Sequence, residues 1–453
     1  MKAAERFAAW ALELDLDAIP PPVVEAAKLH VLDTIGCGLA AHGLGIAAEG
    51  RATMSELGGE PEASVIGLKV GLPAPNAAFA NAMLCHGLDF DDTHSESVAH
   101  VSTVVVPAAV ALAEARGASG RELLTAVIAG NEIVTRIGMA APGAFHERGF
   151  HPTAICGIFG ATAAAARLGG LAPDAAASAL GIAGSMASGL FAYLDDATAT
   201  KPIHPAWAAH GALLAARLAE HGAEGPPGVL ENRFGVFHAF VDTRVDLEPQ
   251  LADLGDRWET PRIAFKPYPA CHFSHGSLGA TESLCDEIDH DEVEEVVVTV
   301  PEAGVALVLE PAASKVAPRT DYEGKFSLQY STAAMLVHGR VDLTTYTPAA
   351  LADPRVLALA RKVRYETREF ASYPAAFPGG VRITLHDGRT LEADFPHQLG
   401  APENPMSAEQ VREKFRENAA FAGDGFDELE QAILTLEQAA DIRGLLAASG
   451  VVA

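Results

Sequence analysis

The sequence predicts a mainly α-helical protein, in which a large helical domain is followed by a smaller α+β domain. Three observations predict this fold. Long segments of helix-compatible composition fill the first two thirds of the chain, most clearly residues 121–141 and 153–168. Ala and Gly are abundant in these segments, and their small side chains let helices pack closely. Strand and hairpin patterns follow later, at residues 294–300 and 381–395.

The helical region begins with a clear start signal, because a run of three prolines at residues 20–22 precedes an apolar helical stripe. The stripe consists of Val24, Ala27, Val31 and Ile35. Glycine pairs and proline-containing breaks, such as Gly169-Gly170, separate the later helices.

The later region alternates between strand and helix patterns. Residues 294–300 are rich in Val and predict a strand, and residues 381–395 predict a hairpin with Asp387-Gly388 at its turn. A helical pattern at residues 332–337 lies between them, and helices return from Ser407.

These changes of pattern predict the domain boundaries. We expect a helical domain over residues 1–264 and an α+β domain over residues 265–404. The C-terminal helices, residues 405–453, can pack on either domain, and we expect them to return to the helical one.

The charge balance is strongly acidic, with 32 Lys and Arg against 59 Asp and Glu and a formal net charge of −27. Such a surface repels nucleic acid and anionic lipid, so we expect neither as a partner. It also repels an acidic substrate at long range. A site for an anion therefore needs local cations, which makes each Lys, Arg or His within a motif informative.

The cysteines and the N-terminus predict a cytoplasmic protein. There are five cysteines, an odd number, and none is spaced as CxxC, which argues against a disulfide framework. Residues 1–14 carry four charges among alanines and lack the apolar stretch of a signal peptide. The uncharged window between Asp174 and Asp195 is rich in Ala, Gly and Ser and is better read as buried helix than as a membrane span.

Two segments resemble known functional motifs, but the residues around them or their spacing do not fit those motifs. Residues 36–41 fit a loose GxGxxA dinucleotide pattern, but a helical pattern precedes them where a strand is required, so close helix packing explains the glycines better. His146 and His151 flank Glu147 but stand five residues apart, whereas a zinc protease helix needs two histidines four apart.

Acids and histidines crowd one short segment, residues 86–94, and His100 follows shortly after. Such a cluster is costly to fold unless it is exposed, paired or bound to metal. One interpretation is a solvated loop that caps a helix. The other is an acid–base site, or a magnesium site on Asp89, Asp91 and Asp92.

Three further segments carry candidate site residues. His151 precedes Pro152 and a small-residue helix, so it is expected at a helix entrance, where Thr153 can help to cap. Lys201 is the only Lys or Arg between Arg167 and Arg217, and is either a surface charge or an anion ligand.

The third segment, residues 266–275, brings together a lysine, a thiol and two histidines, and its two prolines restrict the loop. A metal site is the alternative there, because Cys and His are soft ligands. No second cluster of matching spacing supports that alternative.

Taken in order, these segments resemble the MmgE/PrpD family over nearly the whole chain. The resemblance rests on residues 31–36, 88–93, 149–153, 200–202, 265–269 and 325–328. It implies a large helical domain with a smaller α+β lid domain, usually a homodimer, and no metal or organic cofactor. It also implies action on dicarboxylic or tricarboxylic acids by 2-methylcitrate dehydration, cis-aconitate decarboxylation or iminodisuccinate epimerisation.

The resemblance also assigns site residues. It gives catalytic roles to Asp89, His100, His151 and a histidine in the Lys266 loop, and substrate-binding roles to Thr93, Lys201 and Lys266. The position aligned with that histidine is Cys271, with His272 beside it, and we assign His272. His275 is the remaining alternative in the loop.

We therefore expect a metal-independent lyase that uses His and Asp for proton transfer and Lys to hold carboxylates. The first expectation is a hydro-lyase of the 2-methylcitrate dehydratase type, as in propionate catabolism. The alternative is a cis-aconitate-type decarboxylase or a dicarboxylate epimerase in the same pocket. A non-catalytic carboxylate-binding protein is the alternative of another class.

Overall fold

The computed structural model describes residues 1–196 and 198–446, without the side chains at positions 195 and 196. The described chain forms two compact units. The first comprises Met1–Ile263 together with the chain from Ser407 onwards, and the second comprises Ala264–Met406.

The first unit is built from α-helices. In chain order they are α1 Ala3–Glu13, α2 Pro21–Gly43, α3 Ala48–Leu57, α4 Ala74–His86, α5 Ser102–Arg116, α6 Gly120–Met139, α7 Ala144–Glu147, α8 Pro152–Leu168, α9 Pro173–Gly184, α10 Tyr193–Asp196, α11 Ile203–Glu220, α12 Val236–Val241 and α13 Glu248–Leu251. After the second unit the chain adds α21 Ala408–Ala420 and α22 Asp427–Leu434.

Small residues allow the helices of this unit to pack closely, as the composition predicted. Gly38 lies in the buried half of α2, and a Cβ at that position would come within 2.7 Å of Ile66 and 3.0 Å of the Cys85 thiol. The helix-packing interpretation of the GxGxxA pattern is therefore confirmed. α5, α6 and α8 are almost entirely buried and form the centre of the core.

The second unit contains a four-stranded sheet with the strand order β2-β1-β3-β4. The strands are β1 Val293–Val300, β2 Val363–Thr367, β3 Gly379–Leu385 and β4 Thr390–Phe395. β1 pairs parallel with β2 and antiparallel with β3, and β3 and β4 form the predicted hairpin, with Gly388 in the left-handed region at its turn.

The second unit also contains α-helices. They are α14 His275–Glu282, α15 Glu302–Val308, α16 Ala312–Lys315, α17 Asp321–Lys325, α18 Leu328–His338, α19 Pro348–Leu351 and α20 Pro354–Ala360. The prediction of a mainly α-helical protein is confirmed, since strands occur in the described residues only as this one small sheet.

Length and apolarity together limit which helices of the described part of the chain can cross a bilayer. No single helix there is both long and apolar enough to cross a bilayer, and only the pair Pro21–Gly43 and Ala48–Leu57, bent by 90°, meets the length and composition criteria jointly.

Candidate active site

The segment between α4 and α5 folds inward rather than forming a solvated loop. Asp89, Asp91 and Thr93 are buried, and so is His100. Asp89 adopts a left-handed backbone conformation with φ +53°, which an aspartate tolerates better than most residues. The segment therefore directs several polar side chains into the interior of the first unit, and the solvated-loop interpretation is wrong.

Lys201 is the cation of this cluster. Its Nζ donates to Asp89 Oδ1 at 2.6 Å and lies 3.4 Å from His100 Nε2. Its side chain is only 10% exposed, so the ammonium group is largely shielded from solvent. A buried ion pair of this kind is maintained by mutual attraction in a poorly solvated environment. Of the two interpretations of Lys201, the surface charge is wrong.

His100 is held from its other side by Asp91. Its Nδ1 lies 3.3 Å from Asp91 Oδ2 and 3.3 Å from Thr93 Oγ1. Asp91 also contacts His86, whose Nδ1 is 2.8 Å from the same oxygen. Burial alone would raise the pKa of Asp91, but its interactions with His86 and His100 together hold that pKa well below the usual value.

His151 occupies the entrance of α8, as predicted. It is the residue before the helix, and its Nδ1 lies 3.1 Å from His204 Nδ1. Burial lowers the pKa of His151 well below its usual value, and the positive charge of Lys201 lowers it further. The imidazole is therefore neutral near pH 7 in this form of the protein.

Thr153 does not cap α8, contrary to expectation. It lies inside the first turn, and its Oγ1 accepts a hydrogen bond from the backbone N–H of His100 at 3.0 Å. A different residue caps helix α5. Asp92 Oδ1 accepts a hydrogen bond from the backbone N–H of Ser102, the first residue of that helix. The hydroxyl of Thr153 thus ties the His100 backbone to the start of α8.

A second layer of buried charge supports the segment. Asp92 pairs with His30 of α2 at 2.8 Å, and Lys414 of α21 pairs with Asp33 at 2.7 Å. Lys414 also donates to the Phe90 carbonyl oxygen at 2.8 Å and lies over the Phe90 ring. We call His30, Asp33, Asp92 and Lys414 the supporting layer, and Asp89, Asp91, His86, His100, His151 and Lys201 the histidine cluster.

The two remaining predicted residues belong to the second unit. Lys266 is 1% exposed, and His272 is 6% exposed. The His272 ring stacks on Phe377, with ring centres 4.4 Å apart, and its Nε2 lies 3.2 Å from Gln398 Nε2. Because the Gln398 side-chain oxygen accepts from Phe377 N–H, its amide nitrogen donates to His272. The neighbouring Cys271 is also buried.

Two triads in the first unit have ligand atoms close enough to bind a metal. His86, His100 and His151 each offer a ring nitrogen, and these lie within 4.8 Å of one another; Asp89, Asp91 and His100 form the other triad. Sequence spacing did not indicate the histidine triad because its members come from three separate segments. The Lys201 ammonium group beside His100 opposes a second cation there.

The sequence interpretation gave no role to His86 and His204. His86 ends α4 and contacts both Asp91 and the His100 ring, with ring centres 4.6 Å apart. His204 contacts His151. Each stands in a segment already singled out, beside Asp89 or Lys201, but a single sequence does not show which histidines face one another.

The sequence of this chain is similar over almost its whole length to two family models and to several known proteins. The MmgE/PrpD N-terminal domain matches residues 5–248, and the MmgE/PrpD C-terminal domain matches residues 268–440. A cis-aconitate decarboxylase-like protein of Aspergillus oryzae is 30% identical over 97% of this chain and 95% of its own length. The cis-aconitate decarboxylases of Aspergillus terreus and Homo sapiens are each 30% identical over 96% of this chain, and over 94% and 92% of their own lengths. The chain belongs to the MmgE/PrpD family.

Proposed function

We propose that this protein is a lyase that decarboxylates a small unsaturated tricarboxylate of the cis-aconitate type. The observation that carries the proposal is the histidine cluster, in which a shielded lysine pairs with Asp89 and lies beside His100, whose other ring nitrogen contacts Asp91. The expectation of a 2-methylcitrate hydro-lyase takes second place, because the similar proteins over the full length of the chain are named as decarboxylases.

The reaction needs an acid and a cation. In cis-aconitate, one carboxylate is attached to a CH2 group next to the carbon–carbon double bond. When the bond to that carboxylate breaks, CO2 leaves and the bonding pair forms a new double bond. The former double-bond pair takes a proton at the carbon that bears another carboxylate. A positioned acid must supply this proton, and a nearby cation must stabilise the charge that develops.

The cluster supplies both requirements. We assign Lys201 as the cation that binds a substrate carboxylate, and Thr93, which contacts His100, as a hydrogen-bonding group. His100 and His151 are the candidate acids, because imidazole transfers protons near neutral pH. Asp89 pairs with Lys201 and lies 3.7 Å from His100 Nε2, so it supports a positive charge on either group.

Substrate binding would itself create the acid. His151 is neutral in the free protein because burial and Lys201 lower its pKa. A substrate with three negative carboxylates raises the pKa of any imidazole close to it. We therefore infer that the enzyme takes up a proton as it binds substrate and then delivers that proton to carbon.

A side-by-side assay tests the proposal. The enzyme is incubated with cis-aconitate, 2-methylcitrate and an amino-dicarboxylate, and CO2 release, water loss and inversion are measured separately. CO2 release from cis-aconitate with little turnover of the others is expected. If dehydration of 2-methylcitrate is the dominant reaction, the protein is a hydro-lyase and the decarboxylase proposal is wrong. Ligand-induced thermal stabilisation without turnover of any acid would indicate a binding protein.

Roles for the second unit stay predictions. The resemblance makes Lys266 a carboxylate ligand and His272 a catalytic residue, and it describes this unit as a lid. Lys266→Ala and His272→Gln test these roles through KM and kcat on the substrate that the assay identifies. Unchanged kinetics in either variant would remove that residue from the site.

An exposed apolar stripe on α11 supports the expected homodimer. Ile203, Trp207, Leu214 and Leu218 recur at helical spacing and are 37–41% exposed. We propose this face as a contact between two copies. Light scattering of the purified chain should give the mass of a dimer, and Leu214→Glu should shift it towards a monomer. A cytoplasmic location likewise stays a prediction.

A further inference from the structure

A single buried carboxylate serves two imidazoles. Asp91 is 0% exposed, and its Oδ2 lies 2.8 Å from His86 Nδ1 and 3.3 Å from His100 Nδ1. Its other oxygen is 3.0 Å from His86 Nδ1. The two histidines come from the end of α4 and from the turn before α5, so Asp91 links two separate elements.

The direction of these contacts follows from the chemistry of a carboxylate. An ionised aspartate only accepts hydrogen bonds, so each imidazole must donate from Nδ1. A neutral imidazole carries one N–H, and its Nε2 then bears a lone pair. His100 therefore presents an unprotonated Nε2 towards Lys201, which donates to it at 3.4 Å.

We propose that Asp91 is a positioning residue that fixes His86 and His100 as Nδ1–H tautomers and directs both Nε2 atoms into the histidine cluster. The inference rests on the proposed function, since it gives His100 a role in proton transfer. It assigns the orientation of the His100 imidazole to Asp91 and not to Asp89, the aspartate to which the family resemblance gives a catalytic role.

The distances separate the two aspartates. Asp89 makes its short contact with Lys201, at 2.6 Å, and its nearest approach to His100 is 3.7 Å, beyond hydrogen-bonding distance. Asp91 contacts the opposite ring nitrogen. Asp89 therefore acts on His100 through charge, whereas Asp91 determines which nitrogen holds the proton.

His86 becomes part of the same arrangement. Its Nε2 is buried and has no hydrogen-bond partner among the described residues. Its ring centre lies 4.6 Å from that of His100 and 5.7 Å from that of His151. A buried nitrogen without a partner is costly, so its retention in this cluster points to a partner that arrives with substrate or with a transferred proton.

The first test reads the tautomers directly in the wild-type protein. Two-bond ¹H–¹⁵N spectra of histidine-labelled enzyme at pH 8 show which ring nitrogen carries the proton, and His86→Gln and His100→Gln assign the signals. We expect Nδ1–H on both residues. An Nε2–H or a doubly protonated ring at either position would overturn the proposal, whichever substrate the enzyme uses.

The second test is kinetic. Asp91→Asn keeps the shape but removes the negative charge. In either orientation of the amide, its NH2 group faces the Nδ1–H of His86, so the Nδ1–H tautomer is no longer favoured. We expect kcat to fall about 10²–10⁴-fold with KM within about threefold, because tautomer errors act on proton transfer rather than binding. Turnover within about threefold of wild type would reject the positioning role.

Asp92→Asn is the matched control. Asp92 is the adjacent residue and equally buried, but it contacts His30 and the start of α5 instead of the histidine cluster. We expect a lower melting temperature and kcat per folded molecule within about threefold of wild type. An equal loss of kcat in both variants would mean that Asp91 has only a structural role. If Asp91→Asn does not fold, the wild-type spectra decide.

Discussion

The histidine cluster and the supporting layer are adjacent, and both are buried, yet their charges are balanced differently. In the supporting layer each carboxylate has its own basic partner, Lys414 for Asp33 and His30 for Asp92. In the histidine cluster two imidazoles share the Asp91 carboxylate, Lys201 pairs with Asp89, and the His151 imidazole contacts neither carboxylate but His204. Pairing favours a fixed structure, whereas a surplus of neutral bases leaves room for an anion and a proton.

The pKa shifts follow the same division. The attraction of Asp33 outweighs burial and raises the pKa of Lys414, so this lysine is firmly charged. Burial lowers the pKa of His86 to about 4, although Asp91 works in the opposite direction. The comparison therefore predicts that substitutions in the cluster reduce turnover and that substitutions in the supporting layer reduce stability.

The largest effect on turnover is expected at His151. His151→Gln should keep the fold and much of the substrate binding but lower kcat about 10²–10⁴-fold, the usual contribution of a general acid or base. His30→Gln is the matched change in the supporting layer and should lower the melting temperature instead. Full activity per folded molecule in His151→Gln would discard its catalytic role.

The largest effect on stability is expected at Lys414. Lys414→Met leaves the Asp33 carboxylate buried without its cation, and the free energy of unfolding should fall by about 3–5 kcal/mol. Denaturant titration measures this change. Asp33→Asn in the same chain removes the stranded charge and should recover a large part of the loss. A loss of kcat per folded molecule would contradict the separation of the two layers.

Substitution of Lys201 should reduce catalytic efficiency by an intermediate amount. Lys201→Ala removes a charge-assisted contact to substrate, and the free energy of transition-state binding should weaken by roughly 1.5–3 kcal/mol. This is measured as kcat/KM on the substrate that the assay identifies. Lys201→Arg keeps the charge and should recover part of the loss. If Lys201→Ala has wild-type kinetics, the lysine is a structural partner of Asp89 alone.

The fold could be predicted from the sequence more completely than the candidate active site. Helix boundaries such as those of α8 and the hairpin of β3 and β4 follow from local composition, so the sequence predicted them closely. The different roles of Asp89 and Asp91 did not follow from the sequence, because their partners lie in three separate places: at the end of α4, before α5 and before α11. Only the tertiary fold decides which of two neighbouring carboxylates meets an imidazole.

The same limit explains the other errors at the site. Thr153 looked like a helix cap from its place beside Pro152, but its hydroxyl accepts from His100, 53 residues away. His86 carried no special sequence signal beyond its neighbours. Long-range contacts of this kind leave no periodic pattern in a single sequence.

Acid should destabilise the protein through the cluster. The folded pKa of His86 is about 4, below the ordinary 6.5, so the unfolded chain binds the proton more readily. Its stabilising effect is present above about pH 6.5 and is lost as the pH falls towards 4. When the pH falls from 7 to 5, protonation of this group alone should lower the free energy of unfolding by about 2 kcal/mol. His86→Gln should flatten the dependence of melting temperature on pH, and an unchanged slope would contradict a neutral buried His86.

Removal of metal is expected to leave activity unchanged, which makes it the smallest of the predicted effects. The three imidazoles of His86, His100 and His151 are close enough to attract zinc, and histidine is a common zinc ligand. The Lys201 ammonium group, however, already stands 3.4 Å from His100 Nε2 and pairs with Asp89, so a second cation would meet direct repulsion. Elemental analysis of the purified enzyme should therefore find no stoichiometric zinc or iron, and dialysis against a chelator should leave kcat unchanged. Lys201→Ala sharpens the test, because removing the ammonium group should increase zinc affinity, which calorimetry measures. Activity that is lost on chelation and restored by one equivalent of metal would mean that the cluster is a metal centre and that Lys201 is displaced when it forms.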